Sequence, residues 1–241
     1  MAVASLAVHL QLLGVLELPR WIGINLALDV VLFIMAVMAG RVLPMFTNNG
    51  VRGANARRHP LIEKVALGSL LALLVTDLLP LPAWAVAALC LVAALAHLAR
   101  WWLWQPWVTL RTPLVWVLHA AYLWIPLHLA LRAAAAFGAV NPSLASHALM
   151  AGAAGGLIIG MMTRTARGHT AQPLRADRWD TMAYTAVLAA AAVRVFVPLG
   201  APSAVAGAAL TSGLLWSAAF VIYAWRYAPL LIRPRADGRP G

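Results

Sequence analysis

The apolar residues of this chain fall into runs of about 20, separated by short stretches that are polar, basic or rich in proline. A run of about 20 apolar residues is the length that an α-helix needs to cross the hydrocarbon core of a membrane. The spacing of the runs predicts helices over residues 1–18, 22–46, 61–79, 83–104, 113–136, 143–166, 181–199 and 203–226. The predicted fold class is therefore all-α: a polytopic transmembrane helix bundle of about eight spans. It forms one domain over residues 1–231, followed by a polar C-terminal tail at 232–241.

Composition and charge agree with a membrane protein. The chain is 63% hydrophobic and 10% charged, with a mean hydropathy of +0.83, which excludes a soluble domain. The net charge of +11 could indicate nucleic-acid binding, but the basic residues lie between the apolar runs, where membrane topology puts them. All but Arg20, Arg132 and Arg194 of the 18 Lys and Arg residues fall on one side of the predicted bundle. The positive-inside rule then places both termini in the cytoplasm, with the lipid bilayer and no nucleic acid as partner.

A stripe of small residues marks the predicted helix at 143–166. Gly152, Gly156 and Gly160 recur at every fourth position. In water each glycine would cost a helix about 1 kcal/mol relative to alanine, whereas in lipid the same spacing lets another helix approach closely. We therefore expect a tight helix contact along this stripe. His147 precedes Gly156 by nine residues, about half a turn away, so it should face a different neighbour.

Histidines within the apolar runs are the main candidates for chemistry. Neutral imidazole is the commonest side-chain metal ligand, and helix bundles hold haem or metal ions between facing helices. The alternative is a histidine that only bonds to a neighbouring helix, which is the interpretation we adopt for His97 and His128. His119 and His128 are nine residues apart on one predicted helix and cannot serve the same site. Cys90 is the sole cysteine, and no nucleotide loop, Ser–His–Asp order or zinc-ligand spacing occurs, so no enzyme class is indicated.

Three separated stretches resemble a known family. The first is GRVLP at 40–44 with Phe46 and Thr47; the second begins with RTPL at 111–114 and includes His119 and Tyr122. The third is GMMTRTARGHTAQPL at 160–174, with His147 upstream. In this order they resemble NnrS, a family of polytopic bacterial membrane proteins described as binding haem and copper and tied to nitric oxide metabolism. The resemblance covers about residues 9–174 and implies a protein of the bacterial inner membrane involved in the nitric oxide response and denitrification.

The resemblance also implies site residues. His9, His119 and His147 become the expected haem or metal ligands, with His119 the strongest candidate because it lies about six residues inside its helix. Arg41 would either neutralise a haem propionate or extend to the lipid headgroups. His169 would contact the cofactor or cap its loop. Methionine thioethers are soft ligands that suit copper, although methionines also serve simply to fill a core. The candidate copper ligands are Met35, Met38, Met161 and Met162.

The resemblance has one departure, and two other functions stay open. Longer members of the family carry further N-terminal helices with a His–Glu–Met motif, which residues 1–30 lack. We therefore expect a fragment or a shortened relative, in which missing N-terminal helices or a partner membrane subunit supply a ligand. One alternative is a transporter or channel whose polar path includes Asp29, Arg41 and the histidines. The other is a non-catalytic membrane subunit that packs through the Gly152–Gly160 stripe.

Overall fold

The computed structural model describes residues 21–238, and within them it contains helices and no strands. A seven-residue π-helix occurs at Ala148–Ala154, and short 3-10 helices occur at Pro106–Thr109 and Pro202–Ala204. The α-helices are α1 (Trp21–Gly50), α2 (Pro60–Thr76), α3 (Ala83–Leu103), α4 (Pro113–Tyr122), α5 (Trp124–Ala136), α6 (Pro142–His147), α7 (Gly155–His169), α8 (Arg178–Gly200) and α9 (Val205–Leu231).

Among these residues, six helical stretches are long and apolar enough to cross a membrane. They are Ile24–Gly50, Ala83–Leu103, Pro113–Ala136, Pro142–His169, Arg178–Gly200 and Pro202–Leu231. The span predicted at 61–79 corresponds to α2, which is 17 residues long. The span predicted at 1–18, with His9, lies outside the described residues. The all-α, polytopic fold class is confirmed.

Two predicted helices are less regular than their hydropathy suggests. The span at 113–136 is interrupted at Leu123, which separates α4 from α5. Pro126 has no N–H to bond to the carbonyl of Tyr122, and its ring crowds that carbonyl, which accounts for a break at this point. The span at 143–166 extends to 142–169 and contains the π-helix in its middle. Such π segments are uncommon inside α-helices and often occur near functional sites.

The segment formed by α4 and α5 is the centre of the bundle. Of the six candidate spans it is the most enclosed, because 72% of its most apolar 18-residue stretch is buried inside the protein. α4 packs against α7 and α1, while α5 packs against α3 and the π-helix. The side chains carried by α4 and α5 therefore meet residues from most of the other helices.

The glycine stripe is a tight contact, as its spacing predicted. A Cβ atom at Gly156 would lie 2.6 Å from the Cβ of Ala121 in α4, and one at Gly160 would lie 2.7 Å from Leu118. Gly152 packs in the same way against the indole of Trp124. The chain's own α4 and α5 thus occupy the stripe, which leaves the packing-subunit alternative without a free surface there.

Candidate functional site

The three stretches that carry the family resemblance meet in space. The hydroxyl of Thr47, near the end of α1, lies 2.7 Å from Nε2 of His119 in α4. The guanidinium of Arg164 in α7 stacks on Phe46 of α1, 3.7 Å from the ring centroid. Together with the glycine contacts between α7 and α4, these interactions bring the three stretches together around the end of α1.

The side chain of His119 is buried and forms a hydrogen bond with Thr47. The hydroxyl of Thr47 donates to the carbonyl of Leu43 (2.8 Å), so in the pair with His119 it is Nε2–H that donates to the threonine oxygen. Nδ1 of His119 then carries the lone pair, and it is buried with no hydrogen-bond partner among residues 21–238. The side chain is 2% exposed, and His119 does not line any of the clefts described below.

A buried ion pair lies beside this region, and sequence reasoning missed it. Arg100 of α3 is 1% exposed, and its Nε and one terminal nitrogen each donate to Glu63 of α2 at 2.9 Å. The other terminal nitrogen donates to the hydroxyl of Tyr122 (3.0 Å), which also pairs with Nδ1 of His97 (2.5 Å). A Cβ at Gly40 would collide with the guanidinium, which explains the glycine of GRVLP. The available signal was Glu63, an acidic residue inside an apolar run.

A second ionic cluster lies toward the start of α1. Arg132 of α5 donates to Asp29 of α1 (2.6 Å) and forms an ion pair with Asp77, which caps the end of α2. His128 of α5, also in this cluster, donates from Nδ1 to the carbonyl of Ala145 (2.7 Å). His147 lies outside this cluster and lines other clefts.

His147 has the most open environment of the predicted ligands that the structure describes. Its Nδ1–H donates to the carbonyl of Ser143 (2.6 Å), so in the neutral ring Nε2 carries the lone pair. His147 and Arg194 of α8 line two neighbouring clefts of about 370 and 500 Å³. Arg194 has no ion pair within residues 21–238.

The third family stretch ends in a basic cap. Arg167 donates to Asp180 (2.6 Å) and to the hydroxyl of Tyr227 (2.9 Å). Asp180 and Asp177 form a capping box at the start of α8, so this cap ties the end of α7 to α8 and α9. His169 is exposed at the end of α7 and lines a cleft of about 390 Å³ with Met161, Met162 and Tyr223.

The predicted copper ligands divide between two places. Met35, Met38 and Met161 line an apolar cleft of about 370 Å³ between α1 and α7, together with Met150. Met162 lies instead in the cleft of His169.

The predicted site residues do not form one cluster. His119, His147 and His169 occupy separate environments, and Arg41 is exposed on α1. In the part of the chain that the structure describes, no group of three or more His, Cys, Asp or Glu residues could hold a metal ion. A cofactor bound at any of these places would therefore be held by only one of the three histidines.

Comparison with known proteins gives one match. The family model described as "NnrS protein" matches residues 1–235 of the chain. No curated protein and no solved structure matches it. With a match over almost its whole length, and with its three characteristic stretches packed together around the end of α1, the chain belongs to the NnrS family.

Proposed function

We propose that this protein is a haem-binding protein of the bacterial inner membrane, with both termini in the cytoplasm, and that it acts in the response to nitric oxide. Family membership and the six membrane-length helices support the class of protein. The single observation that carries the haem assignment is that Nε2 of His147 and the guanidinium of Arg194, which has no ion pair within residues 21–238, line the same two neighbouring clefts.

The donor set of this cleft fits a haem. A haem needs an axial nitrogen, a cation for a propionate and apolar walls of ligand-binding size, which is about 300–1,000 Å³. Nε2 of His147 would supply the nitrogen, and the carbonyl of Ser143 fixes the tautomer of the ring, as hydrogen-bond partners of metal-bound histidines do. Arg194 supplies the cation, and guanidinium pairs well with carboxylates. Leu144, Ile158 and Trp216 contribute apolar walls that exclude water.

The proposal prefers His147 to His119 for a geometric reason. Nδ1 of His119 also has a lone pair, but the ring is packed between helices and held by Thr47. A porphyrin could reach it only if α1 and α4 separated. His119 and Thr47 instead fasten the end of α1 to the central segment. A second ligand for the iron would come from His9 or from a partner subunit.

When bound, a haem supplies an iron centre that can take nitric oxide as a ligand. The residues of this chain would bind and orient the cofactor: His147 would hold the iron, Ser143 would fix the tautomer of His147, and Arg194 would pair with a propionate. For copper, we propose the cleft of Met35, Met38, Met150 and Met161, because thioethers from two helices share one apolar space and soft ligands favour Cu(I).

The test is the absorption spectrum of the 241-residue chain purified in detergent from cells supplied with haem. We expect a Soret band in the oxidised and reduced protein, and a shift of that band when nitric oxide is added to the reduced sample. The matched control is Arg194→Gln, which removes the propionate partner and should weaken haem retention without abolishing the band. A parent chain that purifies without a Soret band would contradict the proposal and favour the transporter alternative.

A further inference from the structure

The cluster around Arg132 has more hydrogen-bond acceptors than donors. One guanidinium serves the carboxylates of Asp29 and Asp77, and each carboxylate pairs with it through Oδ1. The second oxygen of each, Oδ2, is buried and accepts from no donor in the described part of the chain. Asp29 is only 2% exposed, so bulk water does not satisfy its Oδ2.

The charges of the cluster do not balance if both carboxylates are ionised. Asp29 comes from α1, Asp77 from the end of α2 and Arg132 from α5, which gives a net charge of −1. The other titratable groups that face the cluster are Cys90 of α3 and His128 of α5. A neutral thiol and a neutral imidazole add no positive charge. An uncompensated charge inside a membrane bundle is costly, so one additional positive charge would stabilise the cluster.

A small polar cavity adjoins the cluster and points to what supplies that charge. The cavity measures about 60 Å³, and Asp29, His128 and Arg132 line it together with Asn25 and Ser146. Because Nδ1 of His128 donates to a carbonyl, Nε2 of the neutral ring carries a lone pair, and this atom is buried without a partner among residues 21–238. His128 is 3% exposed. The buried unpaired atoms around the cavity are therefore acceptors, which require a ligand that donates hydrogen bonds.

We propose that Asp29 and Asp77 together bind one proton, and that the adjoining cavity holds the water through which the proton enters and leaves. A protonated water in the cavity transfers its proton to one carboxylate, which becomes a neutral carboxylic acid, and a neutral water remains. The net charge of the cluster changes from −1 to zero. The space suits this ligand, because one water needs about 10–15 Å³ of such volume. His128 and Asp29 accept hydrogen bonds from the water, and Arg132 stabilises the carboxylate that stays ionised.

Infrared spectroscopy tests this site directly, because a protonated carboxyl group has its own C=O stretching band, which shifts in heavy water. We expect the parent chain in detergent to show this band at neutral pH, with an area equivalent to one carboxyl group. Asp29→Asn should abolish it, and Asp77→Asn should do so as well, because either change leaves one carboxylate for one guanidinium. The chain has only seven acidic residues, so variants can assign the band.

Glu63→Gln is the matched control. Glu63 is also paired with a buried arginine, but one to one and through both of its oxygens, so its loss should leave the band unchanged. Gel filtration in detergent shows that each variant remains folded and monodisperse. The proposal is overturned if the parent chain lacks the band at neutral pH, or if the band survives in both Asp29→Asn and Asp77→Asn. It is also overturned if the band appears only after metal cations are removed, since a metal ion would then occupy the site.

Discussion

Arg100 and Arg132 are both arginines enclosed among apolar helices, yet their surroundings differ in one respect. Arg100 faces a single carboxylate, Glu63, and its remaining donors go to Tyr122 and to the carbonyl of Ala36. Arg132 faces two carboxylates, and acceptors around it are left without donors. The first cluster is neutral, and its buried atoms without a partner among residues 21–238 are Nε2 of His97 and Nε1 of Trp104, whereas the second carries surplus negative charge beside a cavity.

The comparison shows that a charged residue inside a bundle is not functional merely because it is there. Each nitrogen of the Arg100 guanidinium has a described partner, Trp104 stacks on it, and Gly40 leaves just enough room for it. Such an arrangement fixes how α1, α2 and α3 pack. Around Arg132, unpaired acceptors and a small cavity leave room for a ligand. The second carboxylate and the adjoining cavity distinguish the Arg132 cluster from the Arg100 cluster.

Arg100→Leu should have the largest effect on stability. It leaves Glu63, whose side chain is 23% exposed, without its counter-ion and Tyr122 without a donor, so the cost should approach but not reach that of breaking a fully buried pair, which is about 3–5 kcal/mol. We expect a large fall in the melting temperature in detergent, or failure to accumulate in the membrane. Arg58→Leu, at an exposed loop position, is the control and should melt like the parent. Equal melting of Arg100→Leu and the parent would show that the pair contributes nothing.

Arg132→Leu should also destabilise the protein, but in a pH-dependent manner. It leaves two buried carboxylates without a cation, and they are tolerated only when protonated. Protonation at low pH removes their charge, so the loss of stability should be small in acid and grow as the pH rises. Melting curves of Arg132→Leu and the parent over a pH series measure this difference. A loss that is the same at every pH would remove the distinction between the two clusters.

The sequence predicted most of the spans, because long apolar runs and their interruptions are local features. It could not predict that Arg132 joins both aspartates, because hydropathy does not determine which helices are neighbours. The sequence also counted Arg100 with the basic residues of the loops, because it lies in the last turn of its helix. Its burial depends on Glu63 of α2, whose position next to Arg100 the sequence does not show. The interruption at Leu123 follows from Pro126, a local feature that hydropathy alone does not register, whereas the π-helix depends on packing that no periodicity reveals.

Gly40→Ala should test how closely Arg100 is packed. The added methyl group would collide with the guanidinium, and overpacking of a filled interior costs about 1–3 kcal/mol. Gly68→Ala is the matched control, because nothing lies within 4 Å of a Cβ at that helical position and alanine favours the helix. We expect a lower melting temperature for Gly40→Ala and an unchanged or higher one for Gly68→Ala. The opposite order would show that Arg100 has room to move.

Thr47→Val should have the smallest effect of these changes. It preserves the shape of the side chain but removes the hydroxyl that accepts from Nε2 of His119, which leaves a buried donor unpaired at a cost of about 1–3 kcal/mol. His119→Ala in the Thr47→Val background should then cost less than His119→Ala alone, as a thermal double-mutant cycle would show. Additive effects would mean that the two side chains do not interact.

The haem site at His147 is the central claim, and a pair of histidine variants tests it most directly. Parent, His147→Ala and His119→Ala are purified side by side from cells supplied with haem, and the Soret absorbance per chain is compared in reduced-minus-oxidised spectra. We predict that His147→Ala loses the band, while His119→Ala retains it in the fraction that folds, because His119 is already bonded to Thr47 away from the clefts. A band that is lost in His119→Ala and unchanged in His147→Ala would contradict this assignment.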